Sequence, residues 1–180
     1  ISEFAVPVAR REPIETNKSY RQIGVRLWGN GAYEREPVQG SVTKYGTLFR
    51  MAANDIVVNK IWARSGSVAI VPSELDGTYG SAEFPTFAPD TTALEPRWFH
   101  WITRWKPFWD QCEEKSRGAT GKNRIKPERF LEIAVPLPPL AEQRRLAAKL
   151  DQVDARVVEA KRLTEQVAEE QMVLLTRRVE

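Results

Sequence analysis

The sequence predicts an α+β fold, in which a sheet-rich domain with short helices is followed by a long α-helix that forms a coiled coil. Two patterns support this prediction. Short apolar and β-branched runs separated by turn residues fill the first half of the chain, as expected for strands. From Leu140 to Arg178 there is neither proline nor glycine, and good helix formers dominate. A chain of 180 residues can bury one domain core and still carry such an extended element.

Five segments of the first half are predicted strands. They are Tyr20 to Trp28, Leu48 to Met51, Asp55 to Trp62, Ser67 to Val71 and Tyr79 to Phe87. Between them lie residues that tolerate the backbone angles of turns, such as Ser65-Gly66 and Asp76-Gly77.

A helical pattern follows the strands. Its apolar positions recur at intervals of three and four residues, at Trp98, Trp101, Ile102, Trp105, Phe108 and Trp109. Pro107 lacks a backbone N–H donor and clashes with the preceding turn, so it divides this segment into two predicted helices. The tryptophans are predicted to lie in the core, because helical spacing places them on one face.

Three prolines at positions 136, 138 and 139 mark a boundary between two predicted domains, residues 1–137 and 138–180. At about 1.5 Å per residue, the helix of the second domain would reach about 60 Å. Its apolar seam alternates by four and three, with polar interruptions at Thr164 and Gln171. The predicted helix-pairing residues are Leu146, Leu150, Val153, Val157 and Val167. Such a seam needs a partner helix, from a second copy or from a missing second half of the chain.

Composition disfavours several classes of function. The single cysteine, Cys112, provides neither a disulfide framework nor a cysteine-based zinc site, so we expect a cytoplasmic chain without a metal. The one histidine, His100, falls within the tryptophan-rich pattern and is assigned no catalytic role. Residues 118–122 look superficially like a phosphate loop, but Asn123 stands where Ser or Thr would coordinate magnesium. No cofactor fingerprint occurs, so no cofactor is expected.

A nuclease-like set of residues is one alternative. Asp90 precedes Glu113 and Lys115, and carboxylates with a lysine can hold magnesium and orient water. Glu113 and Lys115 are two residues apart at the end of a predicted helix and therefore do not face the same way. A solvated helix end is the simpler interpretation.

Positive charge is concentrated between Arg97 and Arg129. Nine cations and four carboxylates in this range give +5, which exceeds the +3 of the whole chain. The loop from Ser116 to Arg124 combines glycines, hydroxyls and cations, a composition suited to phosphates and base edges. A second candidate surface follows the predicted strand that ends at Trp62. The residues predicted to contact DNA are Lys60, Arg64, Arg117, Thr120, Lys122, Asn123 and Arg124.

One segment resembles a known family. Residues 133–146 read Ile-Ala-Val-Pro-Leu-Pro-Pro-Leu-Ala-Glu-Gln-Arg-Arg-Leu, which is similar to the segment that joins a target-recognition domain to its helix in Type I restriction-modification specificity subunits. The resemblance continues through residues 20–26, 54–60 and 118–127, and so covers essentially the whole chain.

This resemblance implies a non-catalytic, DNA-reading subunit that acts with methyltransferase subunits and a translocating endonuclease subunit. Full-length members carry two recognition domains and two antiparallel helices, and each domain reads one half of a split site. With one domain and one helix, this chain is either a natural half-subunit that forms a homodimer or a fragment of a longer subunit. A symmetric dimer would read an inverted repeat. A coiled-coil assembly module that does not read DNA is the main rival interpretation.

Overall fold

The computed structural model describes residues 1–117 and 123–177, with side chains up to residue 173. Two sheets, three short α-helices and two single-turn 3-10 helices precede a long C-terminal helix, which confirms the predicted fold class. The nine strands of these residues are β1 (Ala5–Val8), β2 (Arg11–Pro13), β3 (Ser19–Val25), β4 (Ala32–Gln39), β5 (Thr47–Arg50), β6 (Ile56–Val58), β7 (Val68–Ile70), β8 (Tyr79–Gly80) and β9 (Thr86–Pro89). The helices are α1 (Pro96–Thr103), α2 (Lys106–Ser116), α3 (Pro127–Leu131) and α4 (Leu140–Arg177).

The strands divide between a four-stranded sheet, in the order β1-β9-β6-β7, and a five-stranded sheet, in the order β2-β5-β8-β3-β4. All pairs are antiparallel except β3 with β8. Strand β6 lies between the two main clusters of buried residues. Ile56 and Val58 join the cluster formed with the helices, whereas Val57 joins a cluster with Ile23 of β3 and Met51, which follows β5. Successive side chains of a strand point to opposite faces, so this short apolar strand holds both clusters together.

The main cluster packs the four-stranded sheet against α1, α2 and α3. Four phenylalanines, Phe87, Phe99, Phe108 and Phe130, are fully buried there. Cys112 is also buried, and burial raises the pKa of its thiol to about 12. A thiol of this kind behaves as a small apolar side chain.

Two strand predictions require correction, and three strands were missed. The predicted strand Asp55 to Trp62 ends at Val58, because the Asn59 side chain accepts a hydrogen bond from the Ile61 backbone and turns the chain. The segment Tyr79 to Phe87 contains two strands, β8 and β9, which belong to different sheets. Strands β1, β2 and β4 were not predicted at all. Strand β4 lies at the edge of its sheet and is largely exposed. Its sequence, Ala-Tyr-Glu-Arg-Glu-Pro-Val-Gln, therefore lacks the alternation of apolar and polar residues from which a strand is predicted.

The predicted division into two helices is confirmed as α1 and α2, but the break lies before Pro107, which falls in the first turn of α2 as Pro96 does in α1. The prediction that the tryptophans form the core is wrong for Trp105, which is 41% exposed. Trp98 and Trp109 pack at the edge of the main cluster. The fully buried aromatic positions of these helices are Phe99 and Phe108, because phenylalanine has no N–H donor to satisfy.

Helix α4 has the predicted length and is joined to the domain at its first turns. Gln143 is fully buried. Its Oε1 accepts a hydrogen bond from the Glu95 backbone over 2.9 Å, and its Nε2 donates to the carbonyls of Ala93 and Pro138 over 2.8 and 2.7 Å. One amide thus satisfies the backbone at the start of α1 and at the start of α4.

Two carboxylates continue this junction along α4. Asp151 accepts hydrogen bonds from Arg97 and from Trp101 Nε1, and Asp154 lies 3.1 Å from Arg104 Nη1. Partial burial raises the pKa of Asp151, but the hydrogen bonds from Arg97 and Trp101 outweigh this effect and hold the pKa below its usual value. The carboxylate therefore stays ionised at neutral pH and keeps α4 on α1.

Replacing Gln143 with alanine should lower the free energy of unfolding by about 2 kcal/mol, because it leaves a backbone N–H and two carbonyls at a partly buried junction without their partner. Denaturant unfolding followed by circular dichroism measures this loss. Gln152→Ala is the matched control, since Gln152 lies on the same helix but is exposed. Equal effects of the two substitutions would contradict the role given to Gln143.

Candidate nucleic-acid interface

Three segments that are distant in the sequence meet at the backbone of Lys60, just after β6. The Lys60 N–H donates to the carbonyl of Glu83 over 3.0 Å, and the Lys60 carbonyl accepts from the N–H of Ile125 over 3.0 Å. Residues 81–85 form the turn between β8 and β9, and residues 123–126 precede α3. Two of the predicted DNA-contacting residues, Lys60 and Arg124, are thereby brought together.

Their side chains converge on one carboxylate. Oε1 of Glu83 accepts a hydrogen bond from Nη1 of Arg124 over 3.0 Å and lies 4.0 Å from Nζ of Lys60. Oε2 of Glu83 is buried and has no hydrogen-bond partner within the described part of the chain. We call Lys60, Glu83 and Arg124 the Glu83 cluster. Sequence analysis missed Glu83, because nothing in its neighbourhood distinguishes it from an ordinary turn carboxylate.

Beside the cluster, the turn after β6 displays Arg64. Its guanidinium lies 5.7 Å from the centroid of the exposed Trp62 ring. Gly66 ends this turn with φ +69, and a Cβ on Gly66 would lie 2.6 Å from Nε1 of Trp109 on α2. Only glycine fits both the left-handed backbone and this close approach, so α2 fixes the turn that carries Arg64.

A cleft of about 180 Å³ adjoins the cluster. Its lining includes Gln22, Asn59, Trp62, Ser81 and Glu83. These amide, hydroxyl, indole and carboxylate groups share the cleft with apolar side chains that include Ile23, Leu48 and Phe84.

The remaining predicted contact residues are not all placed. Arg117 follows the last residue of α2, with Nη2 3.5 Å from Oε1 of Glu113, and its carbonyl accepts from Arg129 Nη1 over 2.9 Å. Asn123 is exposed next to Arg124. Thr120 and Lys122, together with the rest of residues 118–122, lie outside the described residues.

The concentration of positive charge is smaller in the structure than the sequence range suggests. Arg97 and Arg104 face Asp151 and Asp154 of α4, two carboxylates that lie outside residues 97–129. Lys115 pairs with Glu132 over 2.7 Å. These three cations hold the fold together, so they are not part of the candidate interface.

The nuclease-like residues have separate local partners. Oδ1 of Asp90 accepts from the backbone and hydroxyl of Thr92, which lowers the pKa of that carboxyl. Glu113 faces Arg117, and Lys115 faces Glu132. Within residues 1–117 and 123–177, no three His, Cys, Asp or Glu side chains are grouped so that they could hold a metal ion. His100 is partly buried, and burial together with Arg104 lowers its pKa.

Helix α4 carries a second candidate surface. Of the predicted helix-pairing residues, Leu146 and Leu150 are partly buried near the domain, whereas Val153, Val157 and Val167 are 50%, 45% and 53% exposed. At 100° per residue, this seam is turned by roughly a quarter of a circle from Gln143, Ala147 and Asp151, which face the domain. Beyond Asp154, the seam therefore presents apolar side chains to solvent. None of the helices described is both long and apolar enough to cross a membrane.

Comparison with known proteins identifies the family. The model of the Type I restriction modification DNA specificity domain matches residues 6–169. The chain belongs to this family. It is therefore a specificity domain, which is the non-catalytic, target-recognising part of such systems. No curated protein sequence matches the chain.

Two solved structures share the fold of this specificity domain. The HsdS subunit from Thermoanaerobacter tengcongensis has a TM-score of 0.79 at 20% identity, over 96% of this chain and 45% of that one. A chain from a study of complex assembly and conformational transition of the type I R-M system has a TM-score of 0.73 at 20% identity, with the same shares. The specificity domain thus spans less than half the length of these two structural relatives.

Proposed function

We propose that this specificity domain reads one half of a bipartite DNA site and directs methyltransferase subunits and an endonuclease subunit to it. The observation that carries the proposal is the convergence of Lys60 and Arg124 on Glu83. Two cations from separate sequence segments become neighbours beside a cleft whose lining includes polar side chains. Cations on a polar surface are what contact with phosphates and base edges requires.

Within this proposal the contact residues have different tasks. Lys60, Arg64, Arg117 and Lys122 bind phosphates, Thr120 adds a hydroxyl contact, and Asn123 or Arg124 reads a base edge. Phosphate contacts set position and affinity, whereas base contacts set sequence preference. Residues 1–137 form the recognition domain, and residues 138–180 form the spacer helix.

The second part of the proposal is a homodimer of half-subunits in the cytoplasm. Val153, Val157 and Val167 follow the heptad seam and are exposed on α4, and burial against a second α4 would remove them from water. The outer faces of the paired helices would meet the methyltransferase subunits. A two-fold axis between the copies implies an inverted repeat as the site.

Replacing Lys60 with alanine should weaken binding to double-stranded DNA about equally for all sequences, since a phosphate contact carries no sequence information. The slope of log affinity against log salt concentration should fall by about 1. Fluorescence anisotropy titrations at several salt concentrations measure both quantities.

Lys161→Ala is the control for this experiment, because Lys161 lies on the outer part of α4, away from the proposed interface. An unchanged salt slope in Lys60→Ala would contradict the proposed interface. An equal change in both variants would favour general attraction of DNA to a basic protein. No DNA binding by the wild-type chain would favour the rival assembly-module function.

Light scattering of the purified chain should give twice the mass of one chain, and Val157→Glu should reduce it to the mass of a monomer. A charge on the seam would have to be buried on pairing, at a cost of several kcal/mol. Val158→Glu is the matched control, since Val158 is also an exposed valine but is turned about 100° away from the seam. A wild-type monomer, or equal effects of the two variants, would contradict pairing through the seam.

A further inference from the structure

Arg124 is held differently from the other described arginines of the proposed interface. Its Nη1 donates to Glu83 Oε1 over 3.0 Å. The following residue, Ile125, is buried and bonded to the backbone of Lys60, which is bonded in turn to the carbonyl of Glu83. Both members of the Arg124–Glu83 pair therefore rest on a backbone that hydrogen bonds fix in place.

The pair leaves one edge of the guanidinium open. Within the described residues, Nε and Nη2 of Arg124 donate no hydrogen bond, and the side chain is 52% exposed. These two N–H groups lie side by side in the guanidinium plane. Two adjacent donors are what bidentate contact with O6 and N7 of guanine requires.

Glu83 is poorly suited to increase affinity for phosphate. Its negative charge lies beside Lys60 and Arg124 and reduces their attraction for the DNA backbone. Its effect must therefore be on geometry. A guanidinium that is already bonded at one nitrogen loses less freedom when its other edge binds.

We propose that Glu83 is a positioning residue that holds Arg124 so that the Nε and Nη2 edge reads a guanine in the major groove. This inference rests on the proposed DNA-reading function and names one specificity-determining pair within it. Glu83 sets base preference, and Arg124 makes the contact.

The other two described arginines of the proposed interface are Arg64 and Arg117, and neither has this arrangement. Arg64 lies over Trp62 and has no carboxylate partner among the described residues. Arg117 pairs with Glu113 over 3.5 Å at an exposed helix end, where both side chains are more than half exposed. Glu113 is therefore a matched control, because it is a carboxylate beside a proposed DNA-contacting arginine, but both side chains of this pair are more exposed than those of Arg124 and Glu83.

The test is selection of duplexes from a randomised pool by the full chain, followed by sequencing. The wild type should enrich a motif with guanine at a defined position. Glu83→Ala and Arg124→Ala should each reduce the preference for that guanine roughly tenfold. The double variant should lose no more than either single variant, since the two residues act as a unit. Glu113→Ala should leave the motif unchanged.

Two conservative variants keep the test decisive if Glu83→Ala does not fold, which circular dichroism would reveal. Glu83→Gln retains an acceptor oxygen and should keep the guanine preference. Arg124→Lys retains the charge without the planar fork and should lose the preference while the salt dependence stays as in the wild type. Loss of the preference in Glu83→Gln would contradict positioning through the hydrogen bond.

The outcomes separate this inference from the function on which it rests. A wild-type motif that Glu83→Ala leaves intact at every position would overturn the role of Glu83 and leave the DNA-reading function standing. A motif that Arg124→Ala leaves intact would overturn the guanine contact in the same way. A wild-type chain that enriches no motif would overturn both the inference and the proposed function.

Discussion

The buried amide of Gln143 is the contact on which the relation between the domain and α4 depends. It bonds the backbone before α1 and the backbone before α4 at once. An amide has both donors and an acceptor, so a single side chain can satisfy groups of both kinds at this junction. The ion pairs of Asp151 and Asp154 then extend the same contact along one face of α4.

This junction separates the two faces of α4. The face that carries Gln143, Ala147 and Asp151 packs against the domain of the same chain, whereas the seam through Val153 and Val157 stays exposed. Pairing through the seam would leave the junction untouched. The orientation of α4 relative to the rest of the domain is therefore set by contacts within one chain.

Charge has two uses in this molecule, and sequence alone does not separate them. Arg97 and Arg104 belong to the basic range, yet they bind the carboxylates of α4. Lys60 lies outside that range, yet it joins Arg124. The charge summed over residues 97–129 includes cations whose carboxylate partners lie about fifty residues away in the sequence. Arg97 and Asp151, for example, are 54 residues apart.

Much of the fold was predictable, for identifiable reasons. Helix α4, the division near Pro107 and the fold class follow from local composition, which acts within a few residues. Strand β4 was missed because its edge position permits charged residues. The end of β6 was missed because one Asn59 hydrogen bond overrides an apolar run.

The candidate site was predictable only in part. Lys60 and Arg124 were selected from charge and loop composition, and the family from the segment 133–146. Glu83 was not predicted, because its role depends on backbone hydrogen bonds between residues that are far apart in the sequence. Contacts of that kind become visible only when the chain is folded.

The most direct test of the central claim is the symmetry of the DNA sites that the wild-type chain selects from a randomised pool. Two identical half-sites in inverted orientation, separated by a spacer of constant length and variable sequence, are the predicted result. They would mean that two copies, held by α4, each read one half. A single undivided motif, or half-sites at variable separation, would contradict the account, because the helix pair would then not fix the distance between two recognition domains.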